Sequence, residues 1–322
     1  MELDLKLYRG YVNEEQLEVF GHVFKWRIPE AFKTDRGRRR NAFAVINMFR
    51  VKPMANVEVR LKFNNLDVTT RTMDDGYFRF TLPFKNNLKS GWHNYEVSCA
   101  TKDSSLTKKA ELLKPFKSQY GIISDIDDTF LISHSNSFFK KLYVMLTKNV
   151  EKRKIFEDVV EHYQQLSVAG QDSDEASNSF FYVSSSEWNL YGFITRFAEY
   201  NQLPKAVIKL KKLKTGFKDF IKSGRGDHDH KFEKIKDIIS FYPHMQYVLL
   251  GDDTQHDPYI YERICKTFPL NIKAVYVRQT AKKQKAKVQQ TLENIKKMDV
   301  ETYYFANSKK AIEHSRKIGL LD

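Results

Sequence analysis

The pattern of apolar and polar positions changes near Lys114-Pro115. Before that point, short runs alternate apolar and charged residues, most strictly in Val57–Phe63, which is the period of a strand with one buried face. Turn signals such as Asp74-Asp75-Gly76 separate these runs. The other runs are Ala42–Val51, Tyr77–Leu82 and His93–Ala100. Residues 1–115 are therefore predicted to form a small all-β sandwich domain.

Beyond Pro115, apolar runs without a period of two alternate with longer helical patterns, as expected of strands buried on both faces. The predicted strands are Tyr120–Ser124, Phe180–Ser184, Ala206–Leu210, Gln246–Leu250 and Lys273–Val277. The predicted helices are Lys154–Leu166, Asn189–Tyr200, Lys231–Phe241, Tyr259–Phe268 and, as a charged surface helix, Ala281–Lys297. This alternation predicts an α/β domain over residues 116–322, with a doubly wound, mainly parallel sheet.

Three aspartates follow the first of these apolar strands, in the segment Ser124-Asp125-Ile126-Asp127-Asp128-Thr129. The carboxyl ends of parallel strands line the ligand crevice of such a sheet. Carboxylates crowded there raise one another's pKa, so a divalent cation is expected to offset them, and hard oxygen ligands favour Mg²⁺. Asp125 and Asp127 can also divide into an ionised nucleophile and a protonated acid. An acidic turn without chemistry is the alternative interpretation.

The strand Phe180–Ser184 also ends in polar residues, because three serines precede the next helical pattern. Hydroxyl groups and free N–H groups at a helix start can hold phosphate oxygens, which makes Ser184 and Ser185 candidates for phosphate binding. The alternative for Ser185 or Ser186 is that of a helix N-cap.

Two further features complete the series. Lys231 opens a helix against its dipole, which is favourable only where the lysine contacts a phosphate or a carboxylate; a solvated lysine is the alternative. Gly251-Asp252-Asp253-Thr254 again follows an apolar strand, with Asp257 shortly after. Asp252 has the position on its strand that Asp125 has on its own, so the two are expected to share a cation.

In order, Asp-x-Asp-x-Thr, serine, lysine and Gly-Asp-Asp-x-x-x-Asp resemble the haloacid dehalogenase superfamily of aspartate-nucleophile phosphatases. More narrowly, residues 124–129, 182–188, 230–231 and 248–261 resemble the actin-patch phosphatidate phosphatases and their bacterial relatives. The resemblance covers residues 118–320. It implies a haloacid dehalogenase-like fold for the second domain.

The resemblance also implies roles. Asp125 would attack phosphorus, Asp127 would protonate the leaving oxygen and then activate water, and Lys231 would neutralise charge between the phosphate and the nucleophile. The implied phosphate-binding residues are Thr129, Ser184 and Ser185, and the implied Mg²⁺ ligands are Asp125, Asp127, Asp252, Asp253 and Asp257. Asp253 departs from the pattern, because relatives usually have Gly-Asp-Ser here, and it adds a carboxylate near the metal.

Charge and hydropathy bear on the partners. With 54 basic and 40 acidic residues, the chain carries a formal charge of +14, which favours anionic partners. The resemblance implies phosphatidate as the substrate. Residues 205–236, with eleven basic and four acidic side chains, and the basic amphipathic segment 138–146 would suit an anionic membrane surface. For 138–146, packing on the core or a small cap is the alternative.

Some classes of protein are excluded or disfavoured. Two cysteines cannot make a disulfide scaffold. The chain shows neither a secretory pattern nor an apolar run long enough to span a bilayer, which predicts a cytoplasmic protein that meets membranes only peripherally. A phosphatase for a soluble phosphoester and a phosphatidate-sensing module stay open as alternatives, although retained nucleophile and acid disfavour the module. Nucleic acid is disfavoured because no recognition motif accompanies the charge.

Overall fold

The computed structural model describes residues 3–26, 51–102, 104–116, 120–126, 157–171, 177–211, 229–254 and 256–322. Among these residues, no helix is both long enough and apolar enough to cross a membrane. The predicted segment 138–146, the greater part of the predicted strand Ala42–Val51, and Asp127 and Thr129 lie outside the described ranges.

The described residues of the first part of the chain form one eight-stranded, mainly antiparallel sheet, and among them only β2 and β8 pair in parallel. Its strands are β1 (Asp4–Leu7), β2 (Gly10–Val12), β3 (Gln16–Phe24), β4 (Glu58–Phe63), β5 (Leu66–Arg71), β6 (Tyr77–Pro83), β7 (Gly91–Ala100) and β8 (Ser105–Lys114). The strict alternation seen in the sequence is real in β4, where Val59, Leu61 and Phe63 are buried and the residues between them are exposed.

The structure has this one sheet in place of the two facing sheets of the predicted sandwich. The strand order is β1-β3-β2-β8-β7-β4-β5, and β6 pairs with β3. Because β5, at one end of the order, approaches β6 near the other end, the sheet curves around a hydrophobic cluster of its own. One curved sheet thereby encloses the core that two sheets enclose in a sandwich.

The second part is an α/β unit, as predicted, and its described residues form a six-stranded sheet whose strands are all parallel. The strands are β9 (Tyr120–Asp125), β10 (Ser179–Glu187), β11 (Ala206–Lys211), β12 (Gln246–Asp252), β13 (Ile272–Arg278) and β14 (Glu301–Phe305). The helices are α1 (Glu157–Val168), α2 (Tyr191–Tyr200), α3 (Asp229–Phe241), α4 (Asp257–Thr267), α5 (Ala286–Lys296) and α6 (Ser308–Lys317).

The strand order of this sheet, β11-β10-β9-β12-β13-β14, positions the candidate site. The chain starts in the middle at β9, moves outward to β10 and β11, and then returns to the other side of β9 with β12. The order therefore reverses between β9 and β12, and ligands of open parallel sheets bind at such a reversal, outside the carboxyl ends of the strands.

The two sheets share buried aromatic residues. Tyr8, which lies between β1 and β2, stacks on Trp188, which follows β10, with ring centroids 4.1 Å apart. The Tyr8 hydroxyl is 2.9 Å from Nδ1 of His22, and the Arg9 N–H donates to the Tyr191 hydroxyl at 2.9 Å. One continuous hydrophobic cluster therefore extends from the curved sheet into the α/β unit. The division at residues 115 and 116, between β8 and β9, stays a prediction.

Candidate active site

The candidate residues meet at the carboxyl edge of the parallel sheet because of the strand register. Asp125 is the last residue of β9 and lies opposite Val183 of β10, so that Ser184 follows at the same edge. On the other side, Leu250 of β12 lies opposite Ser124, which brings Asp252 to this edge as well. The apolar runs that build these strands therefore deliver their polar ends to one place.

Three carboxylates form the centre of the site. Asp125, Asp252 and Asp257 each offer an oxygen atom within 4.8 Å of the others, and all three residues are buried. Asp257 begins α4, where Pro258 in the first turn suits a helix start. Gly251 allows the close approach of this helix, because a Cβ atom there would lie only 2.7 Å from Oδ2 of Asp257.

Lys231 is buried between two of these carboxylates. Its Nζ lies 2.9 Å from Oδ1 of Asp125 and donates a hydrogen bond to Oδ1 of Asp257. Burial lowers the pKa of Lys231, but the charges of Asp125 and Asp257 outweigh it and hold the pKa well above its ordinary value. The ammonium group is thus charged and fixed beside the candidate nucleophile, and the dipole cost predicted at this helix start is offset by two carboxylates.

The third carboxylate is oriented by the turn that follows β12. Oδ1 of Asp252 accepts hydrogen bonds from the Thr254 hydroxyl, at 2.6 Å, and from the Thr254 N–H. The Asp252 N–H in turn donates to Oδ2 of Asp257 at 3.4 Å. These bonds fix Asp252 and Asp257 relative to each other before any ligand binds.

The donor set fits a divalent cation. Three carboxylates and one ammonium group give the site a formal charge of about −2, which is costly in a buried position without a further cation. The donors are hard oxygen atoms, the type that Mg²⁺ prefers. Asp125, Asp252 and Asp257 are therefore the described residues that could hold the ion.

The predicted phosphate-binding serines differ in their environments. Ser184 is buried, and its Oγ accepts the Ser186 N–H at 2.8 Å, while Ser185 is exposed. Lys234 of α3 donates to the Ser184 carbonyl at 3.2 Å, which ties the end of β10 to the helix that carries Lys231. Both serines lie at the same sheet edge as Asp125, and their phosphate-binding role stays a prediction.

Asp253 makes a different set of contacts. Its Oδ1 accepts the Thr280 N–H at 3.1 Å and the Thr280 hydroxyl, and its Oδ2 accepts the Tyr304 hydroxyl at 2.6 Å. Lys285 lies 3.6 Å from Oδ1 and also donates to the Asp253 carbonyl. The carboxylate thus joins the ends of β12, β13 and β14. Asp253 is outside the cluster of three carboxylates found among the described residues, and its role as a metal ligand stays a prediction.

Two contributions were not foreseen from the sequence. Tyr163 of α1 lies with its hydroxyl 2.6 Å from Oγ of Ser124, which donates to the carbonyl of Asp125 at 2.7 Å and so supports the backbone of Asp125. Tyr261 of α4 donates to the Leu250 carbonyl at 2.8 Å and holds α4 on β12. Tyr163 is marked in the sequence only by helical spacing, and Tyr261 ends the segment 248–261 of the family resemblance without a role assigned to its hydroxyl.

Residues 120–279 match the family described as phosphatidate phosphatase APP1, catalytic domain. These residues are just under half of the chain, and through them the chain is similar to the APP1 catalytic-domain family. The resemblance to phosphatidate phosphatases is thereby confirmed. The matched residues 120–279 contain β9 to β13 and the three aspartates of the carboxylate cluster.

A curated relative is phosphatidate phosphatase APP1 of Saccharomyces cerevisiae, which is 29% identical over 164 residues. The match covers 49% of this chain and 25% of the yeast protein, so the chain corresponds to about a quarter of that relative.

Two solved structures show weaker similarity. A β-glucuronidase of Parabacteroides merdae aligns over 94% of this chain and 40% of its own, with 8% identity and a TM-score of 0.29. A carbohydrate acetylesterase of Xanthomonas citri aligns over 98% of this chain and 75% of its own, with 8% identity and a TM-score of 0.34. At such scores, neither similarity indicates a shared fold.

Proposed function

We propose that this chain is a Mg²⁺-dependent phosphatase that uses Asp125 as its nucleophile and hydrolyses phosphatidate to diacylglycerol and phosphate. The observation that carries the proposal is the position of Lys231, buried between Asp125 and Asp257 at the strand-order reversal, with Asp252 completing a three-carboxylate site. A nucleophile beside a fixed cation is what phosphoryl transfer requires, because catalysis there is mainly positioning and electrostatic stabilisation.

In the first step, an Asp125 carboxylate oxygen attacks phosphorus and the bond to the lipid oxygen breaks, which gives an aspartyl-phosphate. Asp127, two residues further along the chain, gives its proton to the departing alkoxide. In the second step, Asp127 takes a proton from water, the oxygen of this water attacks phosphorus, and the Asp125 carboxylate leaves. A Mg²⁺ ion held by Asp125, Asp252, Asp257 and Asp127 would supply electrostatic stabilisation of the phosphoryl oxygens.

Lys231 has two functions in this proposal. Its ammonium group holds Asp125 in one orientation through the contact at 2.9 Å, and it lies where it can neutralise charge that develops on the phosphate. Ser184 and Ser185, on the adjacent strand end, and Thr129 would bind the phosphate oxygens that Lys231 does not contact. A haloacid dehalogenase-like fold accommodates these roles on successive strand ends.

The lipid substrate is supported by the APP1 family match and by the formal charge of +14, which favours an anionic membrane surface. In this proposal the protein is cytoplasmic and binds the membrane peripherally, so that the headgroup of phosphatidate reaches the carboxyl edge of the parallel sheet.

The test measures phosphate release from dispersed phosphatidate and from p-nitrophenyl phosphate, with Mg²⁺ and with a chelator. Asp125→Asn keeps the shape of the side chain and removes the nucleophile, so we expect a loss of roughly 10⁴-fold or more. Asp299→Asn is the matched control, because Asp299 is exposed and its φ of 60° is a conformation that asparagine also tolerates.

The outcomes separate the alternatives. Wild-type protein that hydrolyses only the soluble ester would make the phosphatidate assignment wrong and favour a phosphatase for soluble phosphoesters. Binding to phosphatidate vesicles without hydrolysis of either substrate would favour a sensing module. Undiminished activity of Asp125→Asn would overturn the aspartate nucleophile.

A further inference from the structure

The segment that follows β13 is held at the carboxyl edge by a network in which buried Asp253 contacts exposed Thr280 and Lys285 and half-buried Tyr304. Asp253 bonds to Thr280 and Tyr304 as described above, and the Lys285 N–H donates to the Tyr304 hydroxyl at 3.1 Å. Asp253 follows Asp252 directly, and Asp252 lies opposite Arg278, the last residue of β13. The segment from 279 to 285 is therefore attached one residue away from the candidate metal ligand.

This segment and the first turn of α5 present three exposed lysines, Lys282, Lys283 and Lys287, which we call the lysine rim. Among the described residues, none of the three lies within 4.0 Å of a carboxylate, in contrast to Lys285, which contacts Asp253. The rim is thus a local excess of three positive charges beside the carboxyl edge of the sheet.

The lysine rim lies at the end of α5 where the helix dipole disfavours positive charge. The positive end of the α5 dipole lies here, and the first turn of α5 contains no acidic residue. Cations near a helix N-terminus lose stabilisation, whereas an anion placed there gains it. The arrangement therefore becomes favourable when a negatively charged partner covers it.

Separate exposed lysines favour a partner with an extended anionic surface over a single small anion. A single small anion is bound tightly by buried donors that converge on it, and the rim lysines are exposed instead. Separate exposed cations gain most from a surface that carries many negative charges at once, as an anionic bilayer does. Such a surface would contact the protein at the edge where Asp125, Asp252 and Asp257 lie.

We propose that the lysine rim is a docking surface for anionic lipid bilayers, and that the Asp253 network holds it beside the catalytic edge. This inference rests on the proposed function, since it places the substrate's bilayer against the site that would hydrolyse it. In this inference Asp253 has a structural role, outside the cluster of three carboxylates. A lysine near an anionic bilayer strengthens binding by about fivefold, so three contribute on the order of a hundredfold.

The experiment is sedimentation of the full chain with phosphatidylcholine vesicles that contain or lack phosphatidylglycerol, which is anionic and is not the proposed substrate. The test variant is Lys282→Gln, Lys283→Gln, Lys287→Gln. The matched control is Lys296→Gln, Lys297→Gln, Lys317→Gln, which removes the same charge from exposed lysines at the opposite ends of α5 and α6.

We expect the rim variant to partition on the order of a hundredfold less onto anionic vesicles, the control variant to stay within a few-fold of wild type, and high salt to weaken wild-type binding. Equal losses in both variants, or undiminished binding of the rim variant, would overturn the proposal.

Hydrolysis of p-nitrophenyl phosphate separates this inference from the proposed function, because it needs no bilayer and the rim variant should retain it. If the wild-type protein hydrolyses this ester and the rim variant binds vesicles normally, the docking surface is refuted and the proposed function is not. If vesicle binding depends on the rim lysines but the wild-type protein releases phosphate from neither substrate, the docking surface is supported and the proposed phosphatase function is refuted.

Discussion

Replacing Gly251 by alanine tests whether the close contact between β12 and α4 sets the geometry of the site. The added Cβ would lie 2.7 Å from Oδ2 of Asp257 and 2.8 Å from the Tyr261 hydroxyl, where ordinary van der Waals contact begins at 3.4 Å. Asp257 would therefore have to move by about 0.7 Å, and its partner Lys231 with it. A misplacement of 1 Å costs about a hundredfold in rate, so we expect phosphatase activity to fall by roughly 10- to 100-fold.

The same substitution should lower stability. Overpacking of a buried site costs about 1–3 kcal/mol, which corresponds to a fall in Tm of about 2–10 °C for a unit of this size. Gly192→Ala is the matched control, because a Cβ at Gly192 would meet nothing within 4 Å and the residue lies in the first turn of α2. We expect that variant to keep full activity and to melt at or slightly above the wild-type temperature.

The assay is a thermal melt with and without Mg²⁺, together with phosphate release measured on the same preparations. Gly251→Ala should also show a smaller rise in Tm on addition of Mg²⁺, since Asp257 belongs to the carboxylate cluster. If Gly251→Ala matched Gly192→Ala in melting temperature, Mg²⁺ response and rate, then the contact between Gly251 and α4 would not position the site, and the reasoning would be wrong.

Two further predictions concern buried charge. Lys231→Met leaves Asp125 and Asp257 without the Lys231 ammonium group, and we expect the free energy of unfolding in chelator, measured by urea denaturation, to fall by about 3–5 kcal/mol. Adding Asp257→Asn to this variant should recover part of the loss. A cost below about 1 kcal/mol would contradict the buried ion pairs of Lys231. Burial, and to a lesser degree the charge of Arg278, lowers the pKa of His162 from 6.5 to about 3. Below pH 6.5 the unfolded chain therefore binds a proton that the folded protein does not. The contribution of His162 to stability is full above pH 6.5 and falls as the pH drops towards 3. His162→Gln should therefore lose about 2 kcal/mol less stability than wild type between pH 7 and pH 5, and identical pH profiles would refute this.

The parallel sheet and its strand ends were largely predictable. Strands buried on both faces are continuous apolar runs, and their carboxyl ends share one edge, so Asp125, Ser184 and Asp252 could be placed together from the sequence. Asp253 and Asp257 were both predicted as metal ligands and could not be distinguished, because which of these carboxylates turns inward depends on how α4 packs on Gly251.

The elements missed from the sequence lack a clear apolar period. In β3, eight consecutive residues are buried, and they include Glu18 and His22, because one face of the strand packs in the cluster of the curved sheet and the other in the cluster shared with the α/β unit. In α6 the buried face is Ser308, Ala311, Ile312 and Ser315, so helical spacing is present but half of the buried positions are polar. Tertiary packing, rather than local pattern, decides both elements.

The stack of Tyr8 on Trp188 has a consequence for how this protein can vary among its relatives. The family match begins at residue 120, but the aromatic core that supports the end of β10 is completed by residues more than a hundred positions earlier. The segment that matches the family is therefore shorter than the segment that shares its hydrophobic core. A related chain without the curved sheet must carry smaller or polar side chains where this one has Trp188 and Tyr191, or must supply another cover for them. The residues at these two positions should thus report, in any relative, which architecture precedes the catalytic segment.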